Sequence, residues 1–251
     1  MLDRAVFVRP IAHRGLHDAA SGVIENSGPA FEAAIARGYG IECDLQPASD
    51  GTAMVFHDRA LKRLVDAPGE TTDHSPDALS AMRYRGDASA AILNLSDLLA
   101  LVDGRVPMLI EVKTSWSAPD PRFISAIARE ISAYRGPCAV MSFDPAIVTA
   151  LKPLLPNVPR GIVSGVYTRE WTDGKIDEER SWRLTHLLES GPASPDFFAY
   201  HVKALPTPVT RFLREGLGIP LFTWTVRTQD ELRTARDWAD APIFESVDPR
   251  M

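Results

Sequence analysis

Cysteine is scarce in this chain. Two residues of 251, Cys43 and Cys138, exclude a disulfide framework and fit a reducing compartment, so a cytoplasmic location is expected. No segment approaches the roughly 18 consecutive apolar residues of a membrane span, so no stable membrane insertion is expected. An excess of basic charge is also missing. Lys and Arg total 27 against 33 Asp and Glu, a net charge of −6, which excludes a general nucleic-acid binder. The opening segment, MLDRAVFVRPIAHRG, carries Asp3, and polar residues break it too early for a secretory leader. Collagen-like and low-complexity compositions are absent as well. The length suits one large domain, and α/β barrels reach about 250 residues.

What the chain does have is regular punctuation. Ser27 precedes the apolar helical pattern of Phe31, Ala34 and Ile35, closed by Gly38. Asp120-Pro121, Asp144-Pro145, Thr207-Pro208 and Ser75-Pro76 carry a capping side chain followed by proline, which has no amide to leave orphaned. Thr228 to Glu231 is a capping box. Between these starts lie the short apolar runs PIAH, GIECDL, VPMLIEV, CAVMSF, RGIVS, DFFAYHV, PLFTWTV and APIFE. Such runs fit parallel strands covered on both faces. Their alternation with helices predicts an α/β fold, a distorted (β/α)8 TIM-type barrel. A doubly wound sheet would place a glycine-rich phosphate turn after its first strand, where this chain reads His13-Arg14-Gly15. After the second run, Ser49-Asp50-Gly51 predicts a hairpin in which Ala53–His57 returns antiparallel. Residues 59–106, with short helices near 76–84 and 97–103, read as a small inserted subdomain. Residues 1–251 read as one barrel domain. No helix is expected after the last strand.

Active sites of such barrels lie at the C-terminal strand ends. Side chains two apart on a strand share a face, so Glu42 pairs with Asp44, and Glu111 with Lys113. Three carboxylates buried together need compensation. With no thiol near, they describe a hard oxygen site for one divalent cation, Mg²⁺ or Ca²⁺. Zinc fits this donor set poorly. The bland reading is structural ion pairing with Arg14 and Lys113. Those two cations beside a metal suit a phosphate. His13 and His57 are the candidate proton carriers, one as base and one as acid. Trp224 is either a wall for substrate carbon or ordinary barrel packing, and Phe143 shares the ambiguity. His201 stands near the end of the sixth strand.

The ordered set His13-Arg14-Gly15, ENS-x-x-AF at 25–31, IECDLQ-x-x-x-DG at 41–51, FHD at 56–58, IEVK at 110–113, SFD at 142–144 and WTV at 224–226 resembles the glycerophosphodiester phosphodiesterase family. The segment 59–106 resembles that family's small insertion. The resemblance implies a distorted (β/α)8 barrel, one divalent cation and hydrolysis of a small-molecule glycerophosphodiester to glycerol 3-phosphate and an alcohol. It implies Glu42, Asp44 and Glu111 as metal ligands, His13 and His57 as the acid/base pair, and Arg14 and Lys113 as phosphate contacts. Attack by the glycerol 2-hydroxyl, through a cyclic phosphate, and direct attack by water both stay open. The chain departs from the pattern at Ile24, at Ile92 to Leu95 and at Ile243-Phe244-Glu245, the last placing a longer carboxylate where substrate identity is set. The alternatives are a lysophospholipase D-like or other phosphodiesterase on the same barrel, and a non-catalytic phosphate-binding barrel.

Overall fold

Helix starts follow the capping residues. The computed structural model describes residues 1–250. It forms two compact units, Ala12–Lys113 with Pro119–Cys138, and Met1–Ile11 with Thr114–Ala118 and Ala139–Met251. A short helix α1 (Arg4–Phe7) opens the chain, capped by the Asp3 side chain, and strand β1 (Ile11–Ala12) follows. Helix α2 (Gly28–Ala36) is capped by Ser27 and buries Ala30, Phe31 and Ala34. Strand β2 (Gly40–Pro47) then turns through Gly51 into β3 (Ala53–Val55). The pair is antiparallel, with Leu45 opposite Val55, as the turn residues predicted.

The long connection after β3 holds two 3₁₀ turns, helix α3 (Pro76–Ala81) and a small hairpin of β4 (Arg83–Tyr84) and β5 (Asp87–Ala91). Its apolar residues Leu61, Val65, Leu79, Tyr84 and Ile92 pack on Met54 and Phe56. Helix α3 ends three residues before the expected 84 because Arg83 and Tyr84 enter β4. Helix α4 (Leu95–Val102) starts at its Asn94 cap and lies against α2. Strand β6 (Met108–Val112) pairs parallel with β2, placing Asp44 beside Glu111. Helix α5 (Pro121–Ala133), capped by Asp120, turns Phe123, Ile124, Ile127 and Ile131 inward.

In the other unit, β7 (Cys138–Ser142), α6 (Pro145–Leu151), β8 (Arg160–Ser164), α7 (Glu178–Thr185), β9 (Phe197–His201), α8 (Pro208–Arg211), β10 (Leu221–Val226), α9 (Gln229–Trp238) and β11 (Ala241–Phe244) follow in order. Consecutive strands from β7 to β11 are parallel neighbours. Helix α8 spans a single turn and passes into a π-helical segment at Phe212–Gly216. Among the described residues, the eight strands β1, β2 and β6 to β11 alternate with helices and give the (β/α)8 barrel class. Among the same residues no helix follows β11. The N-terminal residues close the strand starts of their own unit instead. The Met1 ammonium lies 3.0 Å from Asp196, just before β9, and Arg4 reaches Asp240, just before β11, at 2.8 Å. No helix among the described residues is long and apolar enough to cross a membrane.

Gly51 is required by the turn between β2 and β3. Its φ is +91°, and an added Cβ would stand 2.7 Å from the Arg122 Cβ and 3.0 Å from the Phe123 backbone nitrogen. Left-handed backbone and a close helix both demand glycine here. Gly51→Ala is therefore expected to lower stability by about 1–3 kcal/mol, read as a shift of the urea midpoint at unchanged slope.

Candidate active site

The first compact unit gathers seven of the eight sequence-predicted residues: His13, Arg14, Glu42, Asp44, His57, Glu111 and Lys113. Parallel pairing of β2 with β6 brings the acids together, and one carboxylate oxygen from each of Glu42, Asp44 and Glu111 lies within 4.8 Å of the others. All three are buried. Lys113 Nζ stands 2.7 Å from Asp44 Oδ1 and also donates to Glu111 Oε1. Arg14 donates its backbone N–H to Glu42 Oε2 at 3.0 Å. Its Nε lies 3.2 Å from Asp44 Oδ2, an ion pair outside hydrogen-bond geometry. Asn26, absent from the sequence prediction, donates Nδ2–H to Asp44 Oδ2 at 2.8 Å. The His13 Nε2 lies 3.9 Å from Glu42 Oε2.

The electrostatics separate the acids. Burial, and then the charges of Asp44 and Glu111, push the Glu42 carboxyl well above its ordinary range. Burial also opposes the charge on Asp44, but Lys113, His57, Arg14 and His13 outweigh it and hold that carboxyl well below its usual value. Burial works against Lys113 too, yet Asp44 and Glu111 raise its pKa above the ordinary one. Glu42 Oε1 is buried with no hydrogen-bond partner. That orphaned oxygen, next to two further carboxylates, is where a hard divalent cation fits. The donor set is all oxygen, which suits such an ion and not a thiophilic one.

His57 arrives on the hairpin. Phe56 N–H bonds the Asp44 carbonyl at 3.0 Å, and Gln46 Nε2 donates to the His57 carbonyl at 2.8 Å. Below it, Phe56 stacks on Tyr84 with ring centroids 6.2 Å apart. The His57 Nδ1 sits 2.6 Å from Asp58 Oδ1. Burial raises the Asp58 carboxyl, but hydrogen bonds from His57 and Arg63 prevail and leave it below the usual carboxylate range. An ionised carboxylate only accepts, so Nδ1 is the donor in this pair. Glu25, Asp58 and Arg63 complete a chain of charges that sequence reasoning did not assign. Glu25 and Asp58 each lie within a quoted motif, ENS-x-x-AF and FHD, whereas Arg63 lies outside all of them.

Trp224 belongs to the second unit, in an aromatic cluster at its strand ends. Its ring centroid is 5.2 Å from Phe143, 5.4 Å from Trp171 and 4.9 Å from His201. Its indole N–H donates to the Ala199 carbonyl at 3.2 Å. Tyr167 and Trp116 extend the cluster. Burial first, and then Lys203 and Arg227, lower the His201 pKa.

Acids, cations and imidazoles at the strand ends of a (β/α)8 fold describe a phosphodiester hydrolase. The family model described as "Glycerophosphoryl diester phosphodiesterase family" matches residues 13–245. A Mycobacterium tuberculosis protein named "Probable glycerophosphodiester phosphodiesterase 1" is 30% identical, the match covering 90% of this chain and 85% of that protein. The glycerophosphodiester phosphodiesterase of Caldanaerobacter subterraneus is 24% identical over 94% of this chain and 93% of its own. Among solved structures, a phosphodiesterase from Oleispira antarctica in complex with the product sn-glycerol-3-phosphate aligns with a TM-score of 0.73 at 18% identity, covering 96% and 94% of the two chains. The glycerophosphodiester phosphodiesterase of Thermotoga maritima aligns with a TM-score of 0.69 at 24% identity, covering 94% and 93%. The chain belongs to the glycerophosphoryl diester phosphodiesterase family and is by class an enzyme.

Glu25 offers a direct electrostatic test. Burial raises its carboxyl, but hydrogen bonds and charge from Arg63 and Arg14 prevail and lower it from 4.5 to about 2. A depressed carboxyl stabilises the fold above its unfolded pKa, and the gain is lost as pH falls through the folded one. The shift corresponds to about 3 kcal/mol. The stability difference between wild type and Glu25→Gln should be full near pH 6 and shrink progressively between pH 4.5 and 2, followed by urea titrations across that range.

Proposed function

We propose that this enzyme hydrolyses glycerophosphodiesters to glycerol 3-phosphate and an alcohol, using His13 and His57 as the acid/base pair and one divalent cation, Mg²⁺ or Ca²⁺, held by Glu42, Asp44 and Glu111. The observation that carries the reading is the buried acid trio with its orphaned Glu42 oxygen, in a unit that also holds two imidazoles. Five carboxylates, from Glu25, Glu42, Asp44, Asp58 and Glu111, stand there against the three fixed cations Arg14, Arg63 and Lys113. Counted with Glu42 ionised, as a bound cation would hold it, the excess is two negative charges, which matches one divalent ion. When bound, that ion polarises a phosphate oxygen.

The residues of the chain do the rest. Arg14 and Lys113 contact the phosphate, arginine through its fork and lysine as a point charge. His57 moves a proton at Nε2, because its Nδ1 donates to Asp58. One imidazole takes the proton of the attacking hydroxyl, and the other gives one to the departing alkoxide. Trp224 packs against the carbon skeleton of the substrate. The product bound to the Oleispira antarctica phosphodiesterase supports glycerol 3-phosphate as the product class. The aromatic cluster around Trp224 favours a second reading, a lysophospholipid substrate on the same barrel, whose apolar acyl chain stays on the glycerol phosphate while the headgroup alcohol leaves.

Turnover of glycerophosphocholine, glycerophosphoethanolamine and lysophosphatidylcholine, with and without chelator, separates these readings. His13→Ala and His57→Ala should each lower kcat by about 10²–10⁴-fold. Mg²⁺ or Ca²⁺ should raise the thermal midpoint of wild type and not of a Glu42→Gln, Asp44→Asn variant, since a ligand of the folded state alone stabilises it. Full activity in excess chelator would remove the cation, and full activity of either histidine variant would remove the acid/base pair.

A further inference from the structure

Arg63 grips two carboxylates with one guanidinium. Its Nη1 and Nη2 donate to Glu25 Oε2 and Oε1 at 2.9 and 2.7 Å. Its Nε and Nη2 donate to Asp58, the latter at 3.1 Å. Each carboxylate then holds one of the proposed reacting groups. Glu25 Oε1 accepts from Arg14 Nη1 at 2.7 Å, and Asp58 Oδ1 accepts from His57 Nδ1 at 2.6 Å. The chain Arg14, Glu25, Arg63, Asp58, His57 is continuous.

We propose that Arg63 is a positioning residue that fixes the phosphate-binding Arg14 and the proton-carrying His57 in one frame, acting through Glu25 on the first and Asp58 on the second. The inference rests on the function proposed above and goes beyond it. Its physical basis is the fork of the guanidinium. Five donors in one plane can hold two carboxylates with two bonds to each in a fixed geometry, which the three donors of an ammonium cannot. Without Arg63, two acids that it now draws together would repel. Asp58 would lose the donors that hold its carboxylate, and His57 would lose the acceptor that fixes its tautomer. Outer partners of this kind change activity by about 10–100-fold. Arg63 resides in the 3₁₀ turn Leu61–Arg63, whose Leu61 is buried in the core of the inserted segment. The segment after β3 thus delivers a functional group and not only a cover. The Arg63 side chain is 44% exposed, so small solutes reach it.

The two arms predict separable effects on glycerophosphocholine turnover. Glu25→Gln should raise KM with little change in kcat, and Asp58→Asn should lower kcat with little change in KM. Arg63→Ala should do both, lowering kcat/KM by about 10–100-fold. Arg63→Lys should recover only part of this. Millimolar guanidinium should partly restore Arg63→Ala and leave wild type unchanged. Adding Asp58→Asn to Arg63→Ala should lower kcat little further, because the two act on one interaction. Nitrogen-15 spectra of the imidazoles give a readout that needs no turnover: His57 should carry its proton on Nδ1 in wild type and populate both tautomers in Arg63→Ala. A folded Arg63→Ala with wild-type kcat, KM and His57 tautomer would overturn the proposal, as would a loss that guanidinium leaves untouched with the tautomer unaltered. Should wild type leave glycerophosphocholine intact while these spectra change as expected, the proposed substrate falls and the positioning role stands.

Discussion

Burying like charges side by side is the constraint around which the first unit is arranged. Glu42, Asp44 and Glu111 are all buried on the paired strands β2 and β6. Isolated carboxylates in such a place would be costly, and the surrounding groups answer that cost in different ways. Lys113 spans Asp44 and Glu111, Asn26 donates to Asp44, and the Arg14 backbone donates to Glu42. One oxygen of Glu42 is left over, and the same carboxyl is driven toward its neutral form. A site built in this way holds negative charge ready for a cation while keeping enough internal compensation for the strands to stay paired.

Around this trio the elements divide their tasks. The strands set the spacing of the acids, because pleating places Glu42 with Asp44 and pairing places Asp44 with Glu111. The β2–β3 hairpin carries His57 to the same unit, held by Gln46 and by the Asp44 carbonyl. The segment after β3 supplies Tyr84 beneath Phe56 and Arg63 beside Asp58. In the other unit, aromatic rings cluster at the strand ends, with Phe143, Trp171, His201 and Trp224 in one connected set of contacts. The charged cluster and the aromatic cluster are thus placed on different stretches of the chain.

Much of this is legible in the sequence. The eight apolar runs correspond to the eight parallel strands, because a strand covered on both faces must be apolar along its length. The caps at Ser27, Asp120, Asp144 and Thr228 mark helix starts because each satisfies a local orphan amide. The helix at 178–185 is not legible, as half of its eight residues are charged and only Leu184 among them is buried. The β4–β5 hairpin escaped because it is short and depends on packing against Met54 and Phe56.

Local pattern determined the strands, the helix starts, the hairpin at Gly51 and the pairing of acids on one face, since each follows from contacts within a few residues. Tertiary structure alone decided that Arg63 would reach Glu25, that Asp58 would orient His57, and that Asn26 would satisfy Asp44. Long polar side chains have many rotamers, and the partner each one finds depends on where distant segments bring their carboxylates. Spacing along the chain carries that information for neighbours on a strand but not for residues 38 apart, as Glu25 and Arg63 are.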